Sequence, residues 1–175
     1  RDWWGVSLPR AKTSGKLILD NNTINVNGTG YHDHNWEVTA KAVTNYGWYW
    51  GKIYSNNYTI TWASVMKTRL DNYLILVLNK NQDGYLNIDQ NKIQFTAENF
   101  SFENRHLIPH SFTIISDIDN ISINIKMEAT SIYHYRFFGF MNYWRYHLKC
   151  KGYITIDSQT ETIDNYQVAE FLRFR

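Results

Sequence analysis

Ile121-Ser122-Ile123-Asn124-Ile125-Lys126-Met127-Glu128 alternates without a break between apolar and polar side chains. Successive side chains of an extended strand point to opposite faces. The isoleucines and Met127 therefore take one face, and Ser122, Asn124, Lys126 and Glu128 the other. A helix would scatter the same residues around its circumference. Asp117-Ile118-Asp119-Asn120 precedes the run as a turn and 112–116 precedes that as a strand, so a hairpin is predicted. The polar face is expected to meet water.

The same pattern extends outward in both directions. Residues 15–20 and 23–26 read as strands around an Asn21-Asn22 turn, and a further strand starts at Trp48-Tyr49-Trp50 after the turn Asn45-Tyr46-Gly47. Segments 37–43, 58–66, 72–78, 85–88, 92–97 and 99–103 are also strand-like, with Asn81-Gln82-Asp83-Gly84 as a turn and 105–110 as a loop. Residues 133–144 read as a strand plus a short helix. Residues 145–157 alternate with a shift after Gly152, 160–165 read as a turn region, and 166–174 form a last strand. With no convincing amphipathic helix, the chain is predicted to be an all-β, antiparallel, lipocalin-like barrel of about ten strands, since closure removes exposed edges. Residues 1–14 are expected to form a lead-in segment and residues 15–175 a single barrel domain.

Composition narrows the function classes. A net charge of +2 over 175 residues gives no footing for nucleic-acid binding. No apolar run is long enough for a transmembrane segment, and no signal peptide opens the chain. The compartment is left unassigned, with the cytoplasm favoured. A chain opening on Arg1 rather than Met is expected to continue upstream. The single cysteine, Cys150, rules out an intrachain disulfide and reads as a small core residue. Aromatic residues make up 17% of the chain, which suits strands and an aromatic interior.

The densest chemistry lies in Gly28-Thr29-Gly30-Tyr31-His32-Asp33-His34-Asn35-Trp36. Alternation puts His32, His34 and Trp36 on one face and Tyr31, Asp33 and Asn35 on the other, with the two histidine Cα atoms about 6.6 Å apart. The glycines allow a bend or a close backbone approach. Metal binding by His32 and His34 would need ligands from His106, His110, His134, His147 or a carboxylate. The spacing selects none, and no metal or cofactor is expected.

This motif, together with Trp4, Leu8-Pro9, Gly15-Lys16-Leu17 and the later Trp48-Tyr49-Trp50-Gly51, resembles the AttH-domain and carotenoid hydratase (hydroxyneurosporene synthase) family. The resemblance implies lipocalin-like barrels, usually two in tandem, with this chain as the second half and an upstream lipocalin-like domain as its partner. It also implies cofactor-independent hydration, isomerisation or cyclisation of isoprenoid-like molecules. The family's hydratases carry a Tyr-x-Asp pair on a later strand, expected near Thr61-Trp62-Ala63-Ser64, where this chain has no carboxylate, and Glu37 replaces a glycine. Protonating an alkene needs such an acid.

Binding is therefore placed ahead of catalysis. An apolar small molecule is expected against His32, Trp36, Trp48, Trp50 and Trp62, or else the motif knits two barrels together. In the catalytic alternative His34, oriented by Asp33 or Glu37, moves a proton and Tyr31 helps to position it.

Overall fold

The computed structural model describes residues 3–36, 46–68, 70–80 and 84–174. The chain divides into two compact units, Arg1–Ala42 and Val43–Arg175. The first is a long hairpin of β1 (Trp3–Leu19) and β2 (Asn22–Trp36), paired antiparallel from Leu19↔Asn22 back to Trp3↔Trp36. Asp20 and Asn21 make its turn, with φ of 48° and 64°. Short polar side chains tolerate this left-handed region, and the resulting twist suits a two-residue hairpin. The segment 1–14, expected as a lead-in, thus supplies much of β1: the anticipated boundary at residue 14 falls inside a strand that β2 pairs along its length.

The second unit contains β3 (Gly47–Tyr54), β4 (Tyr58–Met66), β5 (Asn72–Lys80), β6 (Tyr85–Ile88), β7 (Ile93–Glu98), β8 (Ser101–Glu103), β9 (His106–Ile108), β10 (Ser111–Ile118), β11 (Ile121–Phe137), β12 (Met141–Ile156) and β13 (Gln159–Arg173). Nine of them form one antiparallel sheet in the order β6-β5-β4-β3-β13-β12-β11-β10-β7, and among the described residues β8 and β9 pair only with each other. The edge strands β6 and β7 are consecutive in the chain, joined through a 3-10 turn at Gln90–Lys92. The sheet curls into a nearly closed, lipocalin-like barrel. Rings meet across its interior: Trp62 of β4 lies 5.3 Å from Phe95 of β7, and Tyr49 of β3 lies 5.4 Å from Phe112 of β10.

Local chemistry explains the elements. Ile121, Ile123, Ile125 and Met127 are buried in the core, while Asn124, Lys126 and Glu128 face solvent. Residues 133–144 contain no helix; they form the distal arms of β11 and β12 around a turn at Phe138 and Gly139, both with positive φ. The anticipated turn at 160–165 lies within β13, because the chain reverses earlier, at Asp157 and Ser158. Pairing of β12 with β11 runs unbroken through Gly152, and the register shift falls instead between Ala129 and Ser131. Residues 105–110, expected as a loop, include β9. The readings at 37–43 and 81–83 lie outside the described residues.

Candidate functional site

The Gly28–Trp36 motif occupies the end of β2, opposite the start of β1. Its alternation places Tyr31 and Asp33 on the same face. The Tyr31 hydroxyl donates to Asp33 Oδ2 at 3.0 Å, and the Trp4 indole N–H donates to the same oxygen at 2.7 Å. Tyr31 and Asp33 are half-buried, whereas His32 and His34 are exposed. Asp33 is thus turned toward Trp4 and Tyr31, on the face opposite His34, and does not orient that imidazole. Glu37, the other expected partner of His34, lies outside the described residues. Gly30 meets a close approach: a Cβ there would collide with the Thr13 hydroxyl, whereas Gly28 has open space.

Two donors on one carboxylate oxygen make Asp33 the polar hub of this hairpin. Asp33→Ala leaves both donors without that acceptor, a loss of about 1–3 kcal/mol of local stability. The expected result is faster amide hydrogen exchange along β1 and β2 with the barrel amides unchanged. Undiminished protection in β1 and β2 would show that the hub does not hold the hairpin.

Of the tryptophans expected to line one cavity, Trp48, Trp50 and Trp62 are not on one face. Trp48 and Trp50 share a face of β3, half-buried, with Trp48 edge-on to Phe174 at 5.7 Å. Trp62 pairs in register with Gly51, whose parity is opposite to that of Trp48 and Trp50, and so faces the opposite way, into the barrel. There it packs with Phe95 and Phe112 in a core that includes Tyr49, Trp144, Tyr146 and Phe171. Trp36 ends β2, in register with Trp3. The barrel interior at Trp62 is filled by the chain's own rings, as expected of a close-packed core.

Burial pushes the Tyr49 phenol up to about 12 and the Cys150 thiol likewise to about 12. A buried thiol in that state is not a nucleophile, and Cys150 is a core residue. Among the described residues no three His, Cys, Asp or Glu side chains gather as metal ligands do.

A second polar group lies elsewhere in the barrel, around β8 and β9. Ser101 Oγ donates to Glu103 Oε1 at 2.7 Å and lies 2.7 Å from His110 Nε2, which then donates to it. His106 and His134 both contact the Trp144 ring. The sequence offered these histidines only as candidate metal ligands. The parity of Ser101 and Glu103 was readable, but nothing in the sequence says which face of so short a strand turns inward.

No family profile matches this chain, and no curated protein matches it. Solved structures do. Kievitone hydratase from Nectria haematococca superposes with a TM-score of 0.70 at 17% identity, covering 98% of this chain and 53% of that one. An AttH candidate from Nitrosomonas europaea gives 0.68 at 14% identity, covering 97% and 51%. CghA with Sch210972 gives 0.62 at 7% identity, covering 99% and 55%. The likeness is one of fold. It agrees with the lipocalin-like, AttH-type resemblance read from the motif, and the chain spans about half the length of each of these structures.

Proposed function

We propose that this chain is one half of a two-barrel, lipocalin-like protein that holds an apolar, lipid- or isoprenoid-like small molecule, with β1–β2 as the element that joins it to an upstream barrel. The observation that carries this reading is the coverage: nearly all of this chain matches only about half of each structural relative. The hairpin supports it. Leu8, Leu17, Ile18, Leu19 and Ile24 are all exposed, and a two-stranded ribbon with no core of its own is marginal in water. A catalytic alternative draws support from one relative's being a hydratase: cofactor-independent hydration, isomerisation or cyclisation, with His34 moving a proton without help from Asp33.

Native mass spectrometry of the natural full-length protein tests the reading. A chain of about twice this length carrying one apolar molecule, identified after denaturing extraction, is the expected result. A natural protein no longer than 175 residues, bare after extraction, would overturn it. If a ligand is found, turnover lost in His34→Ala would favour the catalytic alternative.

A further inference from the structure

Hairpin β8–β9 is built inside out. Its cross-strand pairs are Ser101↔Ile108, Phe102↔Leu107 and Glu103↔His106. Phe102 and Leu107, 72% and 62% exposed, face solvent, while Ser101, Glu103 and His106 are half-buried. A short strand pair normally does the reverse, and polar groups on the covered face signal a role beyond packing. Ile108 alone anchors the hairpin apolarly.

What holds the hairpin down is a set of polar contacts and ring edges. Within the hairpin the Asn104 carbonyl accepts from His106 Nδ1–H at 2.7 Å, and from the turn the Asn104 side-chain amide reaches the barrel, donating to His134 Nδ1 at 3.1 Å. His134 Nε2 in turn donates to Asn142 Oδ1 at 3.0 Å. These partners assign the tautomers: both nitrogens of His134 are used, while His106 keeps a lone pair on Nε2. The His106 ring meets the Trp144 ring edge-on at 5.3 Å, and His134 stacks on Trp144 at 4.8 Å.

Beneath lie Trp144 and Tyr146, two apart on β12, both 0% exposed. Neither the Trp144 indole N–H nor the Tyr146 hydroxyl has a hydrogen-bond partner among the described residues. Two adjacent buried donors left unpaired are costly, and in native proteins such groups need an explanation. Burial holds the Tyr146 phenol protonated, and the nearby Tyr49 and Glu103 reinforce this. The carboxylate of Glu103 and the free lone pair of His106 bring acceptors to the same region as these donors.

We propose that β8–β9 is a lid over a ligand site in the mouth of this barrel, and that the site takes an apolar, conjugated molecule bearing a carbonyl oxygen. The oxygen accepts from Tyr146 and Trp144 once the lid lifts. The Asn104–His134 bond that ties the lid's turn to β11 is a hydrogen bond that water or ligand can replace, and among the described residues β8–β9 shares no ladder with the barrel sheet, so opening leaves the sheet intact. All the residues named belong to this chain's own barrel, so the site goes beyond the two-barrel reading and stands without an upstream partner.

Equilibrium dialysis of the 175-residue chain against 2-acetylnaphthalene and 2-ethylnaphthalene isolates the carbonyl. The ketone is expected to bind at least about tenfold more tightly, a difference of about 1.4 kcal/mol. Tyr146→Phe should erase most of that preference, leave the affinity for 2-ethylnaphthalene unchanged, and raise Tm by a few degrees, because it removes an unpaired buried hydroxyl. Asn104→Ala, which cuts the lid's tie to His134, should speed ketone association severalfold. Equal affinity for the two probes, or a preference untouched by Tyr146→Phe, overturns the proposal. So does a lowered Tm in Tyr146→Phe, which would mean that the hydroxyl has a structural partner.

Discussion

Gly152→Ala is expected to destabilise the barrel by at least about 3 kcal/mol, seen as a lower urea midpoint with unchanged slope. Gly152 sits in the middle of β12, opposite Ile125 of β11 and Ile163 of β13. Its φ is +152°, a conformation that side-chain-bearing residues rarely adopt. A Cβ there would overlap the Asn124 carbonyl oxygen and lie 2.8 Å from Ile125 Cα. Both obstacles are backbone, so neither can yield by changing rotamer. Relief requires β11 and β12 to part where Ile123, Ile125 and Ile154 are packed in the core. Gly139→Ala supplies the control: its φ is +73° but a Cβ there meets nothing within 4 Å. That substitution should cost only about 1 kcal/mol, the conformational penalty alone. Equal losses at the two positions would show that the β11–β12 approach is not as close as described.

The same glycine shows how far the sequence could be read. Strict alternation from Ile121 to Glu128 was enough to declare a strand and its buried face, because one face of an antiparallel sheet meets water. A glycine within a strand is ambiguous. It can mark a bulge that flips the parity, which was the expectation after Gly152, or a close backbone approach that preserves it, which is what the pairing shows. Residues 133–144 are hard to read in part because Phe138 and Phe140 fall in the turn between β11 and β12 and prolong the aromatic run past the end of the period-two signal of Tyr133, Tyr135 and Phe137. Tyr133, Tyr135, Phe137, Phe138 and Phe140 are all exposed, so burial does not sort them. In the motif, alternation alone separated Asp33 from His34, as the bonds from Trp4 and Tyr31 now locate the carboxylate. Alternation could not relate Trp48 and Trp50 to Trp62. Parity fixes neighbours within a strand, but the relation between strands depends on register, and pairing of Gly51 with Trp62 sends the two sets to opposite faces. The lid residues were least legible, since Glu103, His106, His134 and Trp144 come together only through tertiary contacts.

Truncating Trp62 to alanine is expected to cost about 3–5 kcal/mol, the range for removing a large buried aromatic side chain. The ring lies 5.3 Å from Phe95 and 6.0 Å from Phe112, centroid to centroid, and rests over Gly51. The absence of a side chain at Gly51 is what admits it. A Cβ there would stand 2.6 Å from Trp62 Cζ2 and 2.8 Å from its Nε1. Gly51→Ala alone should therefore be destabilising, because the indole is held by Phe95 and Phe112 and cannot retreat. In a Trp62→Ala background the added methyl group meets no ring and fills part of the space left behind. The two substitutions should therefore couple by about 1–3 kcal/mol in a double-mutant cycle followed by urea denaturation. Strict additivity would mean that the indole does not cover Gly51. Coupling of the expected sign has a consequence for binding. If the indole blocks the barrel at this level, an apolar molecule the size of indole should bind and restabilise Trp62→Ala but not the parent chain. A ligand of the parent chain would then be confined to the mouth under β8–β9 or to a surface shared with a second barrel, since its own aromatic side chains already occupy the interior.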